Sequence, residues 1–147
     1  MFFGRMKDFR MPGSLRWKFR GANRKDGVKA GSEKMADIYS KAEDHMKTKK
    51  PFLDFDFSIS DLSSAIFTNK TYLSRTINQF AETNFPQYIN SHRVEYALEL
   101  MRRDPYLTVK EVAGMSGFGN PVSFNDAFKR VTGDTPGAYI KRIRSGR

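Results

Sequence analysis

The sequence predicts an all-α fold in which two copies of one helical unit are joined by a long helix and preceded by a basic arm. Three observations lead to this prediction: an internal repeat, a helix-capping pattern that opens each copy, and a long amphipathic stretch between the copies. The chain has 147 residues, 39% of them hydrophobic, which is enough for one domain with a buried core.

The basic arm is predicted over residues 1–32, where glycines and basic residues alternate without a helical or strand period. This stretch holds nine basic and two acidic residues, whereas the whole chain has a net charge of +10. Residues 51–147 have a net charge of only +2, so most of the excess lies near the N-terminus. We expect the arm to be flexible.

A lead-in segment is predicted over residues 33–57. Ser32 is the expected N-cap of a helix from about Glu33 to Lys49, whose apolar stripe recurs at helical spacing: Met35, Ile38, Tyr39, Ala42 and Met46. After Pro51, aromatic residues alternate with Asp54 and Asp56. We expect an extended segment that packs its aromatic side chains against the helical body, and a short strand is the alternative.

The repeat begins at residue 58. Residues 58–62 correspond to residues 108–112, and the apolar positions of the following helices correspond at an offset of 51: Leu73, Ile77, Phe80, Tyr88 and Ile89 with Phe124, Phe128, Val131, Tyr139 and Ile140. Two copies of one supersecondary unit explain this correspondence. We place them at 58–84 and 105–147.

Each copy has the order short helix, tight turn, longer helix. Ser58-x-x-Asp61 and Thr108-x-x-Glu111 are capping boxes that open short helices over about 59–66 and 109–116. Asn69 and Asn120, the latter before Pro121, are the expected N-caps of the longer helices. This order is typical of a helix-turn-helix unit.

The stretch between the copies predicts a linker helix within 85–104, from about Pro86 to Arg103. At 1.5 Å per residue it spans about 27 Å, which is comparable with the roughly 34–36 Å of one turn of B-DNA. After the second unit, Thr135-Pro136 predicts a last helix that ends near Arg144.

The residues from Ile59 to Arg142 resemble the DNA-binding domain of AraC/XylS-type bacterial transcription regulators. The resemblance is carried by four stretches: Asn69–Arg75, Tyr88–Ala97, Val112–Phe118 and Phe124–Pro136. It implies two recognition helices that read double-stranded DNA, with RNA polymerase as a candidate second partner and no cofactor. No sensor domain is recognised in the sequence, so no small-molecule effector is evident.

The resemblance and the helix faces give the candidate contacts. For bases we select Thr71, Ser74 and Arg75 in the first recognition helix and Val122 and Asn125 in the second. For phosphates we select Asn69, Lys70, Asn120 and Lys129. Arg75 is the strongest candidate, because a guanidinium can pair with guanine O6 and N7 through two hydrogen bonds.

Two positions depart from the family pattern. Phe67 stands where the family has glycine, so we expect it to bend the first turn without glycine's freedom at positive φ. Asp126 stands where the family often has a basic residue, and a carboxylate is repelled by phosphates. We therefore predict that the second unit reads bases more weakly than the first.

Other functions lack the residues that they need. The absence of cysteine excludes disulfides and thiolate zinc sites, and His45 and His92 are expected to be surface histidines. The sequence offers no apolar run of the roughly 18 residues that span a membrane, no nucleophile–base pair and no phosphate loop, so we expect neither a membrane partner nor an enzyme. A cytoplasmic, nucleoid-associated location is expected. The alternatives are a degenerate helix-turn-helix module that binds a protein, and non-specific RNA binding through the arm.

Overall fold

The computed structural model describes residues 30–146, and their regular secondary structure is helical throughout. Seven α-helices follow in order: α1 (Ala30–Lys49), α2 (Ile59–Ala65), α3 (Lys70–Ala81), α4 (Phe85–Arg103), α5 (Val109–Met115), α6 (Pro121–Thr132) and α7 (Pro136–Ser145). A 3₁₀ turn at Pro51–Leu53 joins α1 to α2. The predicted all-α fold with two helix-turn-helix units on a long helix is confirmed, whereas the predicted arm lies outside the described residues up to residue 29.

Helix α1 begins earlier than the sequence predicted. It starts at Ala30, so Ser32 lies inside the helix and the prediction that Ser32 is its N-cap is wrong. A tertiary contact accompanies this first turn, since the Tyr72 hydroxyl in α3 donates a hydrogen bond to the Gly31 carbonyl at 3.3 Å. The predicted apolar stripe is confirmed: Ile38, Tyr39, Ala42 and Met46 are buried, and Met35 is half-buried.

The segment after α1 is not a strand and is only partly the extended segment that the sequence predicted. Pro51 starts the 3₁₀ turn, as its fixed φ and missing N–H favour, and an Asx turn follows in which the Asp56 amide donates to Asp54 Oδ1 at 2.9 Å. Phe52 is buried, whereas Phe55 is 64% exposed. The alternating aromatic pattern therefore predicted the packing of Phe52 but not the exposure of Phe55.

Both predicted capping boxes are present. The Ser58 amide donates to Asp61 Oδ2 at 2.8 Å while the Asp61 amide donates back to Ser58 Oγ at 3.3 Å. Thr108 and Glu111 make the same pair of bonds at 2.8 Å and 3.2 Å. Hydrogen bonds from the Ser58 hydroxyl and amide lower the pKa of Asp61, and bonds from the Thr108 amide and hydroxyl lower the pKa of Glu111.

Helix α4 contributes side chains to two hydrophobic cores. Tyr88 and Ile89, near its start, lie in a core with buried residues of α1, α2 and α3. Its later apolar residues lie in a second core with buried residues of α5, α6 and α7: Val94, Ala97, Leu98, Leu100 and Met101. Because one continuous helix enters both cores, the two units are held at a fixed separation rather than on a flexible tether.

Candidate nucleic-acid interface

Helix α3 is the longer helix of the first unit and its candidate recognition helix. Its N-cap, Asn69, accepts a hydrogen bond from the Tyr72 amide at 2.8 Å. Leu73 and Ile77 are fully buried and fix one face against the core, and on the other side Thr71 and Arg75 are exposed and Ser74 is half-buried. The three candidate base contacts therefore share the outward face of α3, as the helical spacing predicted.

Helix α6 repeats this arrangement in the second unit. Asn120 accepts a hydrogen bond from the Ser123 amide at 2.8 Å, and Pro121 takes the first helical position. Val122 is 68% exposed, and Asn125 and Asp126 are exposed beside it. At the offset of 51 these residues occupy the positions of Thr71, Ser74 and Arg75, so the charge at the third position is reversed between the units.

All four candidate phosphate contacts, Asn69, Lys70, Asn120 and Lys129, lie on the surface. The amide oxygens of the two exposed asparagines are used as helix caps, and each amide nitrogen still carries two donor hydrogens. Lys70, Arg75 and Lys129 make no ion pair with any residue in the 30–146 range. Their charges are thus available to a polyanion.

The turns of the two units both contain a residue with positive φ, but the residue type differs. Gly117 has φ 90°, and Phe67, at the matching position, has φ 59°. The expected positive φ at Phe67 is confirmed, and its side chain is 96% exposed. Phe67 therefore stores backbone strain and gains no burial in return.

For Arg93, which matches an arginine of the family pattern, the sequence favours a structural ion pair or cap over a DNA contact; the structural role is confirmed, but the partners are main-chain carbonyls. Its Nε donates to the Phe52 carbonyl at 2.7 Å and its Nη2 donates to the Asp54 carbonyl at 2.9 Å, so the side chain is directed into the protein. Burial lowers the pKa of Arg93, and the Asp54 carboxylate acts in the opposite direction. The resemblance marked this arginine, but its backbone carbonyl partners have no signature in the sequence.

The prediction that His92 is a surface histidine is wrong. The ring is 5% exposed, stacks on Phe52 at 5.7 Å and lies 3.0 Å from Glu43 Oε2 through Nε2. The Tyr88 hydroxyl donates to the same Glu43 oxygen at 2.5 Å, and burial and then the Glu43 charge raise the pKa of Tyr88. This polar cluster ties α1 to α4. His45 is half-buried.

Two other kinds of site are absent from the part of the chain that the structure describes. Residues 30–146 contain no group of three or more histidine or acidic side chains placed to hold a metal ion. Among the helices of the same range, none has the length and apolar character needed to cross a bilayer.

Two equivalently capped helices with exposed outer faces, each packed against one shared helix, define a double helix-turn-helix protein. A family model described as "Helix-turn-helix domain" matches residues 62–142, more than half of the chain. The chain belongs to this family, of AraC type, and its fold and family are those of DNA-binding transcription regulators rather than of enzymes.

Individual relatives agree with this assignment. The chain is 32% identical over 93 residues to the uncharacterized transcriptional regulatory protein YesN of Bacillus subtilis. The matched residues make up 63% of this chain and 24% of that protein. The C-terminal domain of AraT, a response regulator from Geobacillus stearothermophilus, is 25% identical with a TM-score of 0.59. The match covers 71% of this chain and 83% of that domain. The DNA-binding domain of AdpA, solved with a target DNA, is 24% identical with a TM-score of 0.59 and coverage of 77% and 95%. This last likeness concerns the fold alone.

Proposed function

We propose that this chain is the sequence-specific DNA-binding part of a transcription regulator, and that it inserts α3 and α6 into successive major grooves of double-stranded DNA. The observation that carries the proposal is the pair of exposed polar faces on two equivalently capped helices, both fixed to α4. At 19 residues α4 is about 28 Å long, which suits recognition helices one helical turn of DNA apart. The solved complex of the AdpA DNA-binding domain with a target DNA supports DNA as the ligand.

The two helices contribute unequally in this proposal. Arg75 provides the bidentate contact to guanine, with Thr71 and Ser74 beside it, while Lys70 and the Asn69 amide nitrogen bind phosphate. In the second unit Val122 and Asn125 face the bases, and Asn120 and Lys129 contact phosphate. Asp126 opposes close approach because its carboxylate loses solvation near phosphates. The second unit therefore binds its half of the DNA site mainly through contacts to the DNA phosphates.

The decisive experiment is selection of bound sequences from a random duplex library at moderate salt, followed by footprinting of the selected duplex. We expect two protected major-groove segments about one helical turn apart, with strong base preference in one and weak preference in the other. Equal preference in both halves would contradict the unequal roles, and recovery of no preferred sequence would contradict the function itself.

A degenerate module that binds a protein is the second candidate, and the reversed charge at Asp126 favours it. The salt dependence of binding to random duplex DNA separates the two candidates, because neutralising phosphates releases counterions and gives a steep slope. A flat slope together with weak DNA binding would favour the protein-binding module.

Contact with RNA polymerase and association with the nucleoid are finer parts of the proposal. A regulator bound to its selected duplex is expected to extend or shift the footprint of purified polymerase on an adjacent promoter. Independent, unchanged footprints of the two proteins would remove polymerase from the proposed partners.

A further inference from the structure

The loop Pro51–Asp54 lies between the linker helix and the turn of the second unit. From the α4 side, Arg93 reaches it with two hydrogen bonds, to the carbonyl oxygens of Phe52 and Asp54. Arg93 is 9% exposed although it is charged, and its third nitrogen lies 3.4 Å from Asn90 Oδ1 on its own helix. A buried guanidinium held by two main-chain carbonyls fixes the path of that main chain.

The second unit meets the same loop from the other side. A Cβ atom added to Gly117 would collide with the Phe52 carbonyl oxygen, the one that accepts from Arg93 Nε, and would lie 2.9 Å from Leu53 Cα. The neighbouring Phe118 ring lies 5.8 Å from the Arg93 guanidinium carbon. The turn that precedes α6 is therefore in backbone contact with the loop.

The loop itself is anchored in the first core. Phe52 is 5% exposed and packs there with residues of α1 to α4, with its ring edge-on to Tyr96 at 6.1 Å. The turn of the first unit has no equivalent cover, since Phe67 at the matching position is 96% exposed. The contact is thus a feature of the second unit and not of the repeat.

We propose that Arg93, the loop Pro51–Asp54 and Gly117 form a clasp that sets the position of α6 relative to α3, with Arg93 as its positioning residue. The link to DNA reading rests on the proposed function. Along B-DNA one base pair corresponds to a rise of about 3.4 Å and a rotation of about 34–36°. A clasp that holds the second unit against the first fixes the rotation of α6 in addition to the separation set by α4, and so selects one spacing of half-sites.

A distance measurement in the free protein tests the clasp without DNA. The chain has no cysteine, so Asn78→Cys and Lys129→Cys place spin labels at matching exposed positions of α3 and α6. We expect a narrow distance distribution in the labelled parent and a broad or displaced one after Arg93→Met. Arg103→Met is the matched control, because Arg103 is on the same helix but exposed and paired with Glu99. It should leave the distribution narrow.

A second pair of variants approaches the clasp from the other side. Gly117→Ala brings a collision with the loop together with strain at φ 90°, whereas Gly133→Ala brings similar strain, at φ 79°, into open space. Only Gly117→Ala should change the distance distribution. Circular dichroism shows whether each variant is folded, and Arg93→Lys, which keeps the charge but lacks the planar fork, should lie between the parent and Arg93→Met.

The DNA measurement uses the duplex selected by the intact protein and versions with one base pair added or removed between the protected halves. Arg93→Met should lower affinity for the parent spacing by about tenfold, comparable to the loss of one net hydrogen bond to a charged group. It should also flatten the preference among spacings while footprints over the first half persist.

Two results would overturn the clasp: a folded Arg93→Met with the parent's narrow distribution, or an equal loss of affinity at every spacing. If the intact protein selects no DNA sequence, the proposed function fails, and the spin-label distances still decide the clasp.

Discussion

Phe67 and Gly117 occupy the same place in the repeat, and their surroundings make opposite demands on the side chain. Both have positive φ, but Gly117 also faces the Phe52 carbonyl with no room for a Cβ atom. Phe67 has solvent on its side-chain face. The second turn therefore favours glycine for two reasons, its positive φ and its lack of room for a Cβ atom, whereas in the first turn only the positive φ favours glycine.

Replacing Phe67 by glycine should stabilise the fold. An L-residue in the left-handed region costs about 1–2 kcal/mol of folding free energy. Glycine avoids this strain but loses about 0.5–1 kcal/mol of stability, because it has more conformational entropy in the unfolded state. We expect a net gain of about 0.5–1 kcal/mol in the free energy of unfolding, measured by urea denaturation. Phe67→Ala is the control, since it keeps the strain and should give no comparable gain. A destabilised Phe67→Gly would mean that the exposed ring has a packing role.

Arg75 and Asp126 should respond differently to truncation. Arg75→Ala is expected to cost about 1–3 kcal/mol of binding free energy and to relax the preference at one base position. Asp126→Ala should cost little or strengthen binding, because it removes a repelled carboxylate. Affinities for the selected duplex measure both, with Arg103→Ala as a control for the loss of one exposed positive charge. Loss of a cytosine preference in Asp126→Ala would instead make α6 a base reader.

At the residue level, the sequence indicated features that depend on local pattern. The positive φ at Phe67 followed from its alignment with Gly117 and from the family's glycine. The burial of His92 did not, because its partner Glu43 is 49 residues away and a single histidine carries no periodic signal. The carbonyl partners of Arg93 are 39 and 41 residues away, and every residue has a carbonyl group.

At the level of elements, helix starts were predicted well where a side chain caps them. Asn69, Asn120 and Thr135 are N-caps as expected, and α3, α6 and α7 begin directly after them. The start of α1 and the 3₁₀ turn at Pro51 were missed. The start of α1 contacts Tyr72 of α3, and the 3₁₀ turn packs against Arg93 and Gly117. Both features therefore go with tertiary contacts, which the local sequence does not reveal.

The capping carboxylates predict an acid-dependent loss of stability. Asp61 and Glu111 have folded-state pKa values below their ordinary values of 3.8 and 4.5, so the folded state favours their ionised forms. Their contribution is complete above the ordinary values and is lost as pH falls through the lowered ones. The double variant Asp61→Asn/Glu111→Gln should show a shallower decline between about pH 5 and 2 in urea titrations. A decline as steep as in the parent would show that other carboxylates dominate.

At the scale of the whole molecule, the start of α1 lies beside α3, the proposed recognition helix of the first unit. The Gly31 carbonyl accepts from Tyr72 of α3, and Lys34 Nζ lies 6.0 Å from the centre of the Tyr72 ring. The start of α1 therefore packs against α3. For the basic arm predicted from the sequence we expect a role in affinity, since phosphate contacts carry no sequence information.

Removal of residues 1–29 should lower affinity for all duplexes alike and reduce the salt dependence of binding, because about 0.9 of the slope is lost for each phosphate contact removed. The ranking of DNA sequences should be unchanged. A chain of full length with the lysines and arginines of 1–29 replaced by glutamine separates charge from length. A changed sequence preference in either variant would assign base reading to these residues.

The membership of α4 in both cores decides where such a protein can be recombined with a relative. In the sequence repeat the second unit starts at residue 105, but a graft made there would separate α5, α6 and α7 from the α4 side chains that they pack against. The part that can be exchanged as a unit instead begins inside α4, at about Val94, where the buried side chains of the helix pass from the first core to the second. A chimaera joined at that residue takes the buried residues of each hydrophobic core from one parent, with Tyr96 as the residue that packs against both cores. Its second unit then comes with the half of α4 against which it packs.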